Sequence, residues 1–344
     1  MSQYRIAIAG IGAIADKHAR AIGDLPNAEL VAGCCRTEPK GRAFADEHDC
    51  DWYDSVEAML DGAEPDVMTI CTPSGAHLGP TLAAAERGIH VLCEKPLEIT
   101  TGRIDQMRTA ASEANIQLGG IFPQRYNPVC RAVYDAAKAG RFGNLAIVSS
   151  VVPWWRDDEY YGPDRWQGTL ELDGGGAMMN QSIHGVDMVQ WLASAAMGPD
   201  HDPVDNPVTE VFAYTAQRGH SPDLIEVEDT AVAVLRFANG ALGQLLGATS
   251  MYPGSLKRLQ IGGRNGTAEI LEDELTAFDF RESRDEDEEI RQQFGAETET
   301  GGGAADPMAI DYSHHTRNIE AFLKALDGES LEVDAAEARK AVAI

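Results

Sequence analysis

Basic side chains are scarce in this sequence. Its 344 residues include 28 lysines and arginines against 55 aspartates and glutamates, which gives a formal net charge of −27. A surface this acidic repels nucleic acid and anionic membranes, so we expect neither as a partner. Lysine is especially rare, and an acidic, lysine-poor surface is typical of proteins from salt-rich cytoplasms.

Long hydrophobic runs and paired cysteines are also lacking. No apolar stretch approaches the roughly 20 residues that span a bilayer. The first five residues lead directly into a strand-like segment, so we expect no secretory signal. The six cysteines include no C-x-x-C pair and lie in apolar segments, which is typical of reduced thiols. We therefore predict a cytoplasmic protein with neither a disulfide framework nor a bound metal.

The chain opens on a strand that runs into a glycine-rich turn. Tyr4–Ala9 (YRIAIA) has the pattern of a buried strand, and Gly10-Ile11-Gly12-Ala13-Ile14-Ala15 follows at the start of a helix. In a strand–turn–helix, G-x-G-x-x-A is typical of dinucleotide binding. Gly10 permits the tight turn, Gly12 lets the backbone approach a pyrophosphate, and Ala15 keeps the helix close to the strand. The helix N-terminus favours the phosphates.

The end of the second predicted strand, Glu29–Cys35, bears on the choice of cofactor. The carboxylate that would bind the adenosine ribose is missing, because Cys35 occupies its place and Arg36 and Thr37 follow. An arginine beside a missing carboxylate favours a 2′-phosphate. Glu38 could serve the ribose instead. We expect NADP or NAD, with NADP favoured.

Strand and helix patterns alternate as far as residue 121, which is typical of a doubly wound parallel sheet. We predict an N-terminal Rossmann domain over residues 1–121. Ligands of such sheets bind at the carboxyl ends of the strands, where Cys71-Thr72-Pro73 and Glu94-Lys95-Pro96 fall. There Lys95 could bind a hydroxyl, stabilise an alkoxide or relay a proton. The alternative is a surface lysine paired with Glu94.

A predicted helix begins at 124 and ends near 140. From residue 145 the pattern changes to long strands, at 145–153, 208–217, 230–237, 241–250, 255–262, 267–271 and 275–280. The turn Ala238-Asn239-Gly240 indicates a hairpin. We predict residues 122–344 to be an α+β domain for substrate binding and oligomerisation, with a large, mostly antiparallel open sheet and C-terminal helices that could pack on the first domain. An open sheet with one exposed face commonly pairs with its own copy, so we expect a homodimer or homotetramer.

Three glycines at 174–176 introduce an apolar stretch with polar side chains at helical spacing. Asn180, His184, Asp187 and Trp191 are four, three and four residues apart. This spacing predicts one stripe of a helix over 174–191. An amide, an imidazole and a carboxylate on one stripe suit proton transfer. The alternative is a buried helix whose polar groups are satisfied locally.

Aromatic and arginine residues cluster ahead of this stretch, at Trp154-Trp155-Arg156, Tyr160-Tyr161 and Arg165-Trp166. Aromatic faces suit sugar rings, and arginines suit carboxylates or phosphates, so we predict a substrate-binding flap. The alternative is a loop anchored by its tryptophans. Residues 281–305 are acidic and glycine-rich, which predicts a mobile excursion and no site. We expect a helix over 309–326 to follow.

Together these motifs resemble the Gfo/Idh/MocA family of nicotinamide-dependent sugar oxidoreductases, over nearly the whole chain. The resemblance rests on the glycine-rich turn, Cys71-Thr72-Pro73 with His77, Glu94-Lys95-Pro96, Gln124-Arg125-Tyr126, and the stretch from Gly174 to Asp187. It implies that Lys95 and His184 flank the substrate carbon that faces the nicotinamide. The family's frequent aspartate four residues before the histidine is here Asn180. The stretch is most similar to members that oxidise C3 of nucleotide-activated N-acetylhexosamines or their uronic acids.

The resemblance and the motifs together give our predicted site. We expect Lys95, His184 and Asn180 to be catalytic. Contacts to the cofactor are expected from Gly10, Ile11, Gly12, Ala13, Ile14, Ala15, Arg36, Thr37, Cys71, Thr72, Pro73, His77, Glu94, Lys95, Gln124, Arg165 and Trp166. Contacts to a sugar-like substrate are expected from Lys95, Arg125, Tyr126, Trp155, Arg156, Tyr161, Asn180 and His184.

The predicted activity is reversible hydride transfer between a secondary alcohol of a sugar, sugar acid or nucleotide sugar and NAD(P). In this mechanism His184 removes the hydroxyl proton, Lys95 stabilises the alkoxide, and Asn180 fixes the hydroxyl and the imidazole tautomer. Two alternatives are open. One is an NAD-dependent glycosidase that acts by transient C3 oxidation and elimination. The other is a non-catalytic NAD(P)-binding regulator, which would be expected to lack the lysine–histidine pair.

Overall fold

The chain folds as two units, each built around one β-sheet. The computed structural model describes residues 3–162, 165–198, 201–202, 204–295 and 312–344. One unit comprises Met1–Pro123 and Asp311–Ala343, and the other comprises Gln124–Ile310 with Ile344. Helices α9 and α10, defined next, therefore belong to the unit that contains the N-terminus.

The described elements have the following bounds. The strands are β1 Tyr4–Ala9, β2 Ala28–Cys34, β3 Asp51–Tyr53, β4 Val67–Ile70, β5 His90–Cys93, β6 Leu118–Gly120, β7 Leu145–Pro153, β8 Val208–Ala216, β9 Thr230–Phe237, β10 Leu242–Ala248, β11 Arg258–Gly263, β12 Gly266–Leu271 and β13 Glu274–Phe280. The helices are α1 Ala13–Gly23, α2 Glu38–His48, α3 Val56–Ala63, α4 Leu78–Ala85, α5 Thr101–Glu113, α6 Pro128–Lys138, α7 Ile183–Ala196, α8 Asp285–Phe294, α9 Ser313–Leu326 and α10 Ala335–Ala343.

The first unit contains a six-stranded sheet in the order β3-β2-β1-β4-β5-β6. All of its pairings are parallel. The strands are short and apolar because a sheet covered by helices on both faces buries nearly every position. Ile6 and Ile8 of β1 pack in one core with Ile22 of α1 and Phe322 of α9. The C-terminal segment also extends the sheet edge, since the Gly120 N–H donates to the Val333 carbonyl at 2.9 Å.

The second unit contains a seven-stranded sheet in the order β13-β12-β11-β7-β10-β9-β8. Its described pairings are antiparallel except for β7 with β10. The predicted hairpin is present, with β9 and β10 antiparallel around Gly240 at φ +87°. The predicted fold class, a parallel Rossmann sheet followed by a mostly antiparallel open sheet, is confirmed.

The acidic segment after β13 differs from the prediction. Residues 285–294 form α8, so this part of 281–305 is not a structureless excursion. Its Asp287 is buried and accepts hydrogen bonds from both terminal nitrogens of Arg141, which anchors the helix. The rest of the segment, from residue 296, lies outside the described residues, as does the start of the helix expected over 309–326. Within the described ranges, no helix combines the length and apolarity needed to cross a bilayer.

Candidate active site

The glycine-rich turn after β1 forms a cradle whose shape depends on two glycines. Gly10 has φ +94°, and a Cβ there would lie 2.7 Å from the Thr72 nitrogen, so only glycine lets this turn approach the segment after β4. A Cβ on Gly12 would meet nothing nearer than the Cys71 oxygen at 4.0 Å, which leaves space above the turn. Gly12 is the N-cap of α1, so no capping side chain covers the N–H groups of the first turn of the helix. These residues fit a pyrophosphate at the helix N-terminus.

The other residues of the turn divide between the core and the surface. Ala15 is fully buried and Ile11 nearly so, and both belong to the core that includes β1. Ile14 is half-buried and Ala13 is exposed at the first position of α1. The small Ala15 side chain therefore holds the helix against the sheet while the first turn of α1 stays accessible.

The end of β2 carries no carboxylate at the ribose position. The strand ends at Cys34, and the half-buried Cys35 and the exposed Arg36 and Thr37 follow. Glu38 is the nearest carboxylate in sequence, and it accepts a 2.8 Å hydrogen bond from Arg42, one turn along α2. Its charge is thus already partly balanced.

The sheet order brings three loops of the predicted site to one edge. Strands β1, β4 and β5 are neighbours and run parallel, so the turn at Gly10, the residues Thr72 and Pro73 after β4, and Lys95 after β5 all follow carboxyl ends of adjacent strands. Thr72, Pro73 and Lys95 are half-buried. Ligands of open parallel sheets bind along this edge.

His77 is a structural link in this edge. It is 1% exposed, its Nδ1 lies 3.0 Å from the Pro96 carbonyl oxygen, and its Nε2 lies 3.0 Å from that of Thr72. Burial lowers the pKa of His77. The ring joins the loop after β4 to the loop after β5, and its predicted contact to the cofactor stays a prediction.

The sequence reasoning missed a buried cluster under Lys95. The Glu94 carboxylate contacts His18 of α1 at 3.0 Å and His315 of α9 at 3.8 Å. Potential ligand atoms of these three residues all lie within 4.8 Å of one another. Only the tertiary fold brings them together, because the residues are separated by 76 and 221 positions in the chain (94 − 18 and 315 − 94).

In the second unit, the predicted continuous helix over 174–191 is wrong at its start. Residues Ala177–Gln181 form a π-helical turn, closed by the Ser182 N–H donating to the Ala177 carbonyl at 2.9 Å, and α7 begins only at Ile183. The predicted stripe is therefore interrupted, and Asn180 lies on the turn before α7. Such one-turn π segments occur frequently at functional sites.

The turn is held in place by Glu228, a residue that no sequence motif singled out. Glu228 accepts hydrogen bonds of 2.9 Å from the N–H groups of both Gly176 and Met178. A Cβ on Gly176 would lie 1.8 Å from the Glu228 carbonyl oxygen, so glycine is needed for this close approach. The carboxylate satisfies amides that the irregular turn leaves without helical partners.

Asn180 is buried and hydrogen-bonded to a carboxylate. Its Nδ2 donates to Asp173 Oδ1 at 2.7 Å, and the other oxygen of Asp173 accepts from the Gly168 N–H at 2.8 Å. Asp173 is 1% exposed. The chain thus has a buried carboxylate next to the amide at 180, seven residues earlier in the sequence.

Helix α7 presents His184 half-buried, and Asp187 follows one turn later, buried. Asp187 accepts two hydrogen bonds from the Arg125 guanidinium, at 2.7 Å from Nε and 2.5 Å from a terminal nitrogen. Arg125 also lies over the ring of Trp191 at 5.3 Å. Arg125 is only 1% exposed and fixes α7 to the segment before α6, and its predicted contact to a substrate stays a prediction.

Arg156 is likewise committed to the protein. It is 5% exposed and donates to the Gln181 side chain at 2.8 Å, while its guanidinium lies over the rings of Trp154 and Tyr160. Arg156 therefore supports the π-helical turn through Gln181, and its predicted contact to substrate stays a prediction.

The aromatic residues of the predicted flap also pack within the unit. Tyr161 is buried and donates to Thr249 Oγ1 at 2.9 Å, and burial raises its pKa. Trp155 is half-buried and stacks on His220, with ring centroids 5.6 Å apart. Tyr161 is thus an anchor of the loop, as in the alternative interpretation. Trp155 keeps one side accessible.

Four further predicted residues lie in more open positions. Gln124, Tyr126 and Trp166 are half-buried, and Arg165 is exposed. Gln124 lines a cavity of the second unit together with His184. The remaining residues of that cavity are Cys130, Ser150, Val152, Trp154, Gln181, Gly185, Met188, Lys257, Arg258, Leu259, Ile270, Glu272 and Asp273.

Two of these cavity residues are cations that the sequence reasoning missed. Lys257 lies 3.5 Å from Glu272 and 3.6 Å from Asp273, and Arg258 follows at the start of β11. Nothing in the sequence around residue 257 distinguishes it from an ordinary strand end. Only the sheet order, which places β11 beside β7, brings it near the histidine helix.

Comparison with known proteins gives matches over both units. Residues 4–120 match the model described as "Oxidoreductase family, NAD-binding Rossmann fold", and residues 130–269 match that of the "GFO/IDH/MocA C-terminal domain". The solved WlbA dehydrogenase from Bordetella pertussis, in complex with NADH and UDP-GlcNAcA, is similar at 30% identity and a TM-score of 0.86, covering 99% of this chain and 93% of that one. D-Glucoside 3-dehydrogenase of Escherichia coli (strain K12) is 26% identical over 70% of this chain and 69% of its own.

Proposed function

Because the chain belongs to the Gfo/Idh/MocA family of NAD-binding oxidoreductases, we propose that it transfers a hydride between a secondary alcohol of a sugar-like substrate and NAD(P). The observation that carries the proposal is the strand order, by which the glycine turn follows β1 and Lys95 follows β5, the two strands on either side of β4 in one parallel sheet. An NAD-dependent glycosidase is not favoured, since the similar proteins named above are dehydrogenases.

The protein's own residues would manage the proton and the charge. His184 removes the hydroxyl proton, and Lys95 stabilises the alkoxide while the carbon loses its hydride. Asn180, held by Asp173, orients the hydroxyl and the imidazole. When bound, the nicotinamide accepts the hydride. The presence of both Lys95 and His184 supports an enzyme over a non-catalytic regulator.

For the substrate, the proposal is a nucleotide-activated sugar or its uronic acid, oxidised at C3. The similarity to WlbA, whose structure holds UDP-GlcNAcA, supports this class over a free sugar. The cavity beside His184 adds no preference for an anion, because its two cations, Lys257 and Arg258, are matched by two carboxylates, Glu272 and Asp273. UDP-GlcNAcA, UDP-GlcNAc, a glucoside and myo-inositol, each with NAD⁺ and NADP⁺, form the panel that tests it by the appearance of reduced cofactor.

For the cofactor, the proposal is a preference for NADP. Arg36 is exposed beside the end of β2, and the nearest carboxylate, Glu38, is paired with Arg42. The similar WlbA structure contains NADH, so the preference must be tested by comparing the two cofactors. We expect Arg36→Ala to weaken NADPH binding and leave NADH binding unchanged, as measured by the dissociation constants. Equal weakening of both, or tighter binding of NADH to the unaltered protein, would reject the preference.

The catalytic assignment has its own test. His184→Ala and Lys95→Ala should each lose at least about 10²-fold in turnover, the lower range of general acid–base catalysis, while still binding cofactor. Lys138→Ala, on an exposed lysine at the end of α6, is the matched control and should retain turnover. Near-normal turnover of either active-site variant would refute the assignment.

The location and assembly remain part of the proposal. All six cysteines are free thiols, which supports the reducing cytoplasm. The open sheet exposes large apolar side chains along β8, β9 and β10, namely Val211, Phe212, Tyr214, Val232, Val234 and Leu242. Exposed apolar surface of this extent marks an interface, so the proposal is a homodimer or homotetramer through this face. Val234→Lys should lower the mass measured by light scattering; an unchanged mass would place the interface elsewhere.

A further inference from the structure

A buried ion pair lies directly beside Lys95. Glu94 follows β5, and its side chain is only 8% exposed. Its Oε1 lies 3.0 Å from Nε2 of the fully buried His18, and its Oε2 accepts a 3.0 Å hydrogen bond from the Lys95 main-chain N–H. One carboxylate thus ties α1 to the backbone of the lysine.

His315 contacts the same carboxylate from a third element. It belongs to α9, is 6% exposed, and its Nε2 lies 3.8 Å from Glu94 Oε1. Its ring centroid is 5.8 Å from that of His18. Two imidazoles from helices far apart in sequence therefore face one oxygen of a group whose other oxygen holds Lys95.

The three side chains have different charges at neutral pH. Burial opposes ionisation of Glu94, but His18, His315 and Lys95 lower its pKa to about 2. Burial also opposes the charge on His18, yet Cys71 and Glu94 raise its pKa to about 10. Burial, with repulsion from His18, lowers the pKa of His315 to about 3 against the attraction of Glu94. The cluster is thus an imidazolium–carboxylate pair with a neutral imidazole alongside.

Other ionisable groups surround the pair and share its field. They are Lys17 of α1, Cys71 after β4, Cys93 at the end of β5, Lys95 and Glu98 after it, and His314 of α9. The ammonium of Lys95 is among the charges that hold Glu94 ionised, and this attraction is mutual.

The ion pair accounts for the cluster better than a metal ion does. A histidine that binds a metal almost always donates its other ring N–H to a carboxylate, a carbonyl or water. Among the described residues, neither Nδ1 of His18 nor Nδ1 of His315 has a hydrogen-bonded carboxylate or carbonyl partner. The 3.0 Å contact between His18 and Glu94 is also the normal length of an N–H···O hydrogen bond.

We propose that His18, Glu94 and His315 are positioning residues for Lys95: they fix its backbone at the end of β5 and keep the preceding carboxylate ionised, and the charge of that carboxylate favours the protonated amine. The proposal builds on the role of Lys95 in the proposed function. His18 supplies the positive charge that lets Glu94 remain ionised while buried, and the neutral His315 closes the carboxylate off from solvent.

The test measures Lys95 itself and needs no substrate. Competitive acetylation by acetic anhydride over a range of pH, quantified by mass spectrometry, gives the titration midpoint of each lysine. In Glu94→Gln, which keeps an acceptor oxygen for the Lys95 N–H but removes the charge, the Lys95 midpoint should fall by about one pH unit, the lower range for loss of an adjacent opposite charge. His18→Gln removes a cation beside the same carboxylate and should shift the midpoint in the opposite direction, upward. The exposed Lys138 should not move in either variant.

His48→Gln is the matched control. His48 also pairs with a carboxylate, that of Asp16 of α1 at 3.2 Å, but among the described residues it forms no hydrogen bond or ion pair with the residues after β5. An unchanged Lys95 midpoint in whichever of Glu94→Gln and His18→Gln is folded by circular dichroism would overturn the proposal. If neither folds, NMR of the unaltered protein decides: His18 should remain protonated at pH 8, and titration near its ordinary value overturns the proposal.

Two further results separate this inference from its alternatives. A stoichiometric metal in the purified protein, with a Lys95 midpoint that moves on chelation, would show that the three residues are ligands and not an ion pair. Loss of turnover in Lys95→Ala with an unaltered midpoint in Glu94→Gln would leave the proposed function standing and reject only the positioning network.

Discussion

Removing the charge of Asp187 should destabilise the protein more than any exposed charge change. In Asp187→Asn, the Arg125 guanidinium keeps its buried site, 1% exposed, but loses the anion that accepts its two hydrogen bonds. The new amide also turns an N–H group toward a guanidinium or toward Gln190, which now donates to Asp187 at 3.2 Å. A buried cation is left with one neutral acceptor and one donor group in place of a carboxylate.

The expected size follows from burial. Breaking a buried ion pair by removing one partner costs about 3–5 kcal/mol, because the remaining charge is uncompensated. A whole domain is typically stable by only about 5–15 kcal/mol. The loss should therefore lower the urea midpoint by more than about 1 M for an ordinary denaturant slope. Glu38→Gln, which breaks the exposed pair with Arg42, should cost less than about 1 kcal/mol.

The assay is urea unfolding followed by circular dichroism and tryptophan fluorescence, with Asp187→Asn, Glu38→Gln and the double variant Arg125→Met/Asp187→Leu. The double variant removes both charges at once and should recover most of the lost stability. A loss below about 1 kcal/mol in Asp187→Asn, similar to that of the exposed control, would mean that the guanidinium is not held as described.

Three further results are expected. Gly176→Ala should lower the thermal midpoint and the turnover, because its Cβ would lie 1.8 Å from the Glu228 carbonyl oxygen and must displace the turn before α7; an unaltered midpoint would contradict this contact. Asn180→Asp should be destabilised by repulsion from Asp173, now 2.7 Å from the amide, and adding Asp173→Asn should restore stability. Burial lowers the pKa of His315 to about 3, so the neutral ring stabilises the fold fully above pH 6.5 and this contribution is lost as the pH falls toward 3. In His315→Gln the free energy of unfolding, measured by urea titration, should therefore fall less with decreasing pH over that range, by up to about 1.4 kcal/mol per pH unit.

The strands and the glycine turn could be predicted because their signals are local. Alternating apolar runs gave the strands of both sheets within a few residues, and the spacing of Gly10 and Gly12 after β1 gave the cradle. The family resemblance needed only such short motifs. A turn of this kind is specified by its own residues, since glycine alone reaches φ +94° without strain.

The failures share a different cause, which is hydrogen bonding between residues distant in sequence. The helix predicted from Gly174 begins nine residues later because Glu228, some 50 positions away, binds the amides of Gly176 and Met178 and stabilises an irregular turn. Helical spacing cannot reveal an acceptor supplied by another strand. For the same reason the sequence did not reveal that Arg125 pairs with Asp187.

Two reactive residues of the proposed mechanism lie next to buried ion pairs. Lys95 follows Glu94, which pairs with His18, and His184 lies one turn before Asp187, which pairs with Arg125. Apolar side chains of similar volume would usually stabilise a fold as well or better, so stability alone does not account for such pairs. What an ion pair adds is direction, because a bidentate or charge-assisted contact fixes orientation where apolar packing tolerates rotation. The double variant at 125 and 187 should therefore unfold like the unaltered protein and still turn over more slowly.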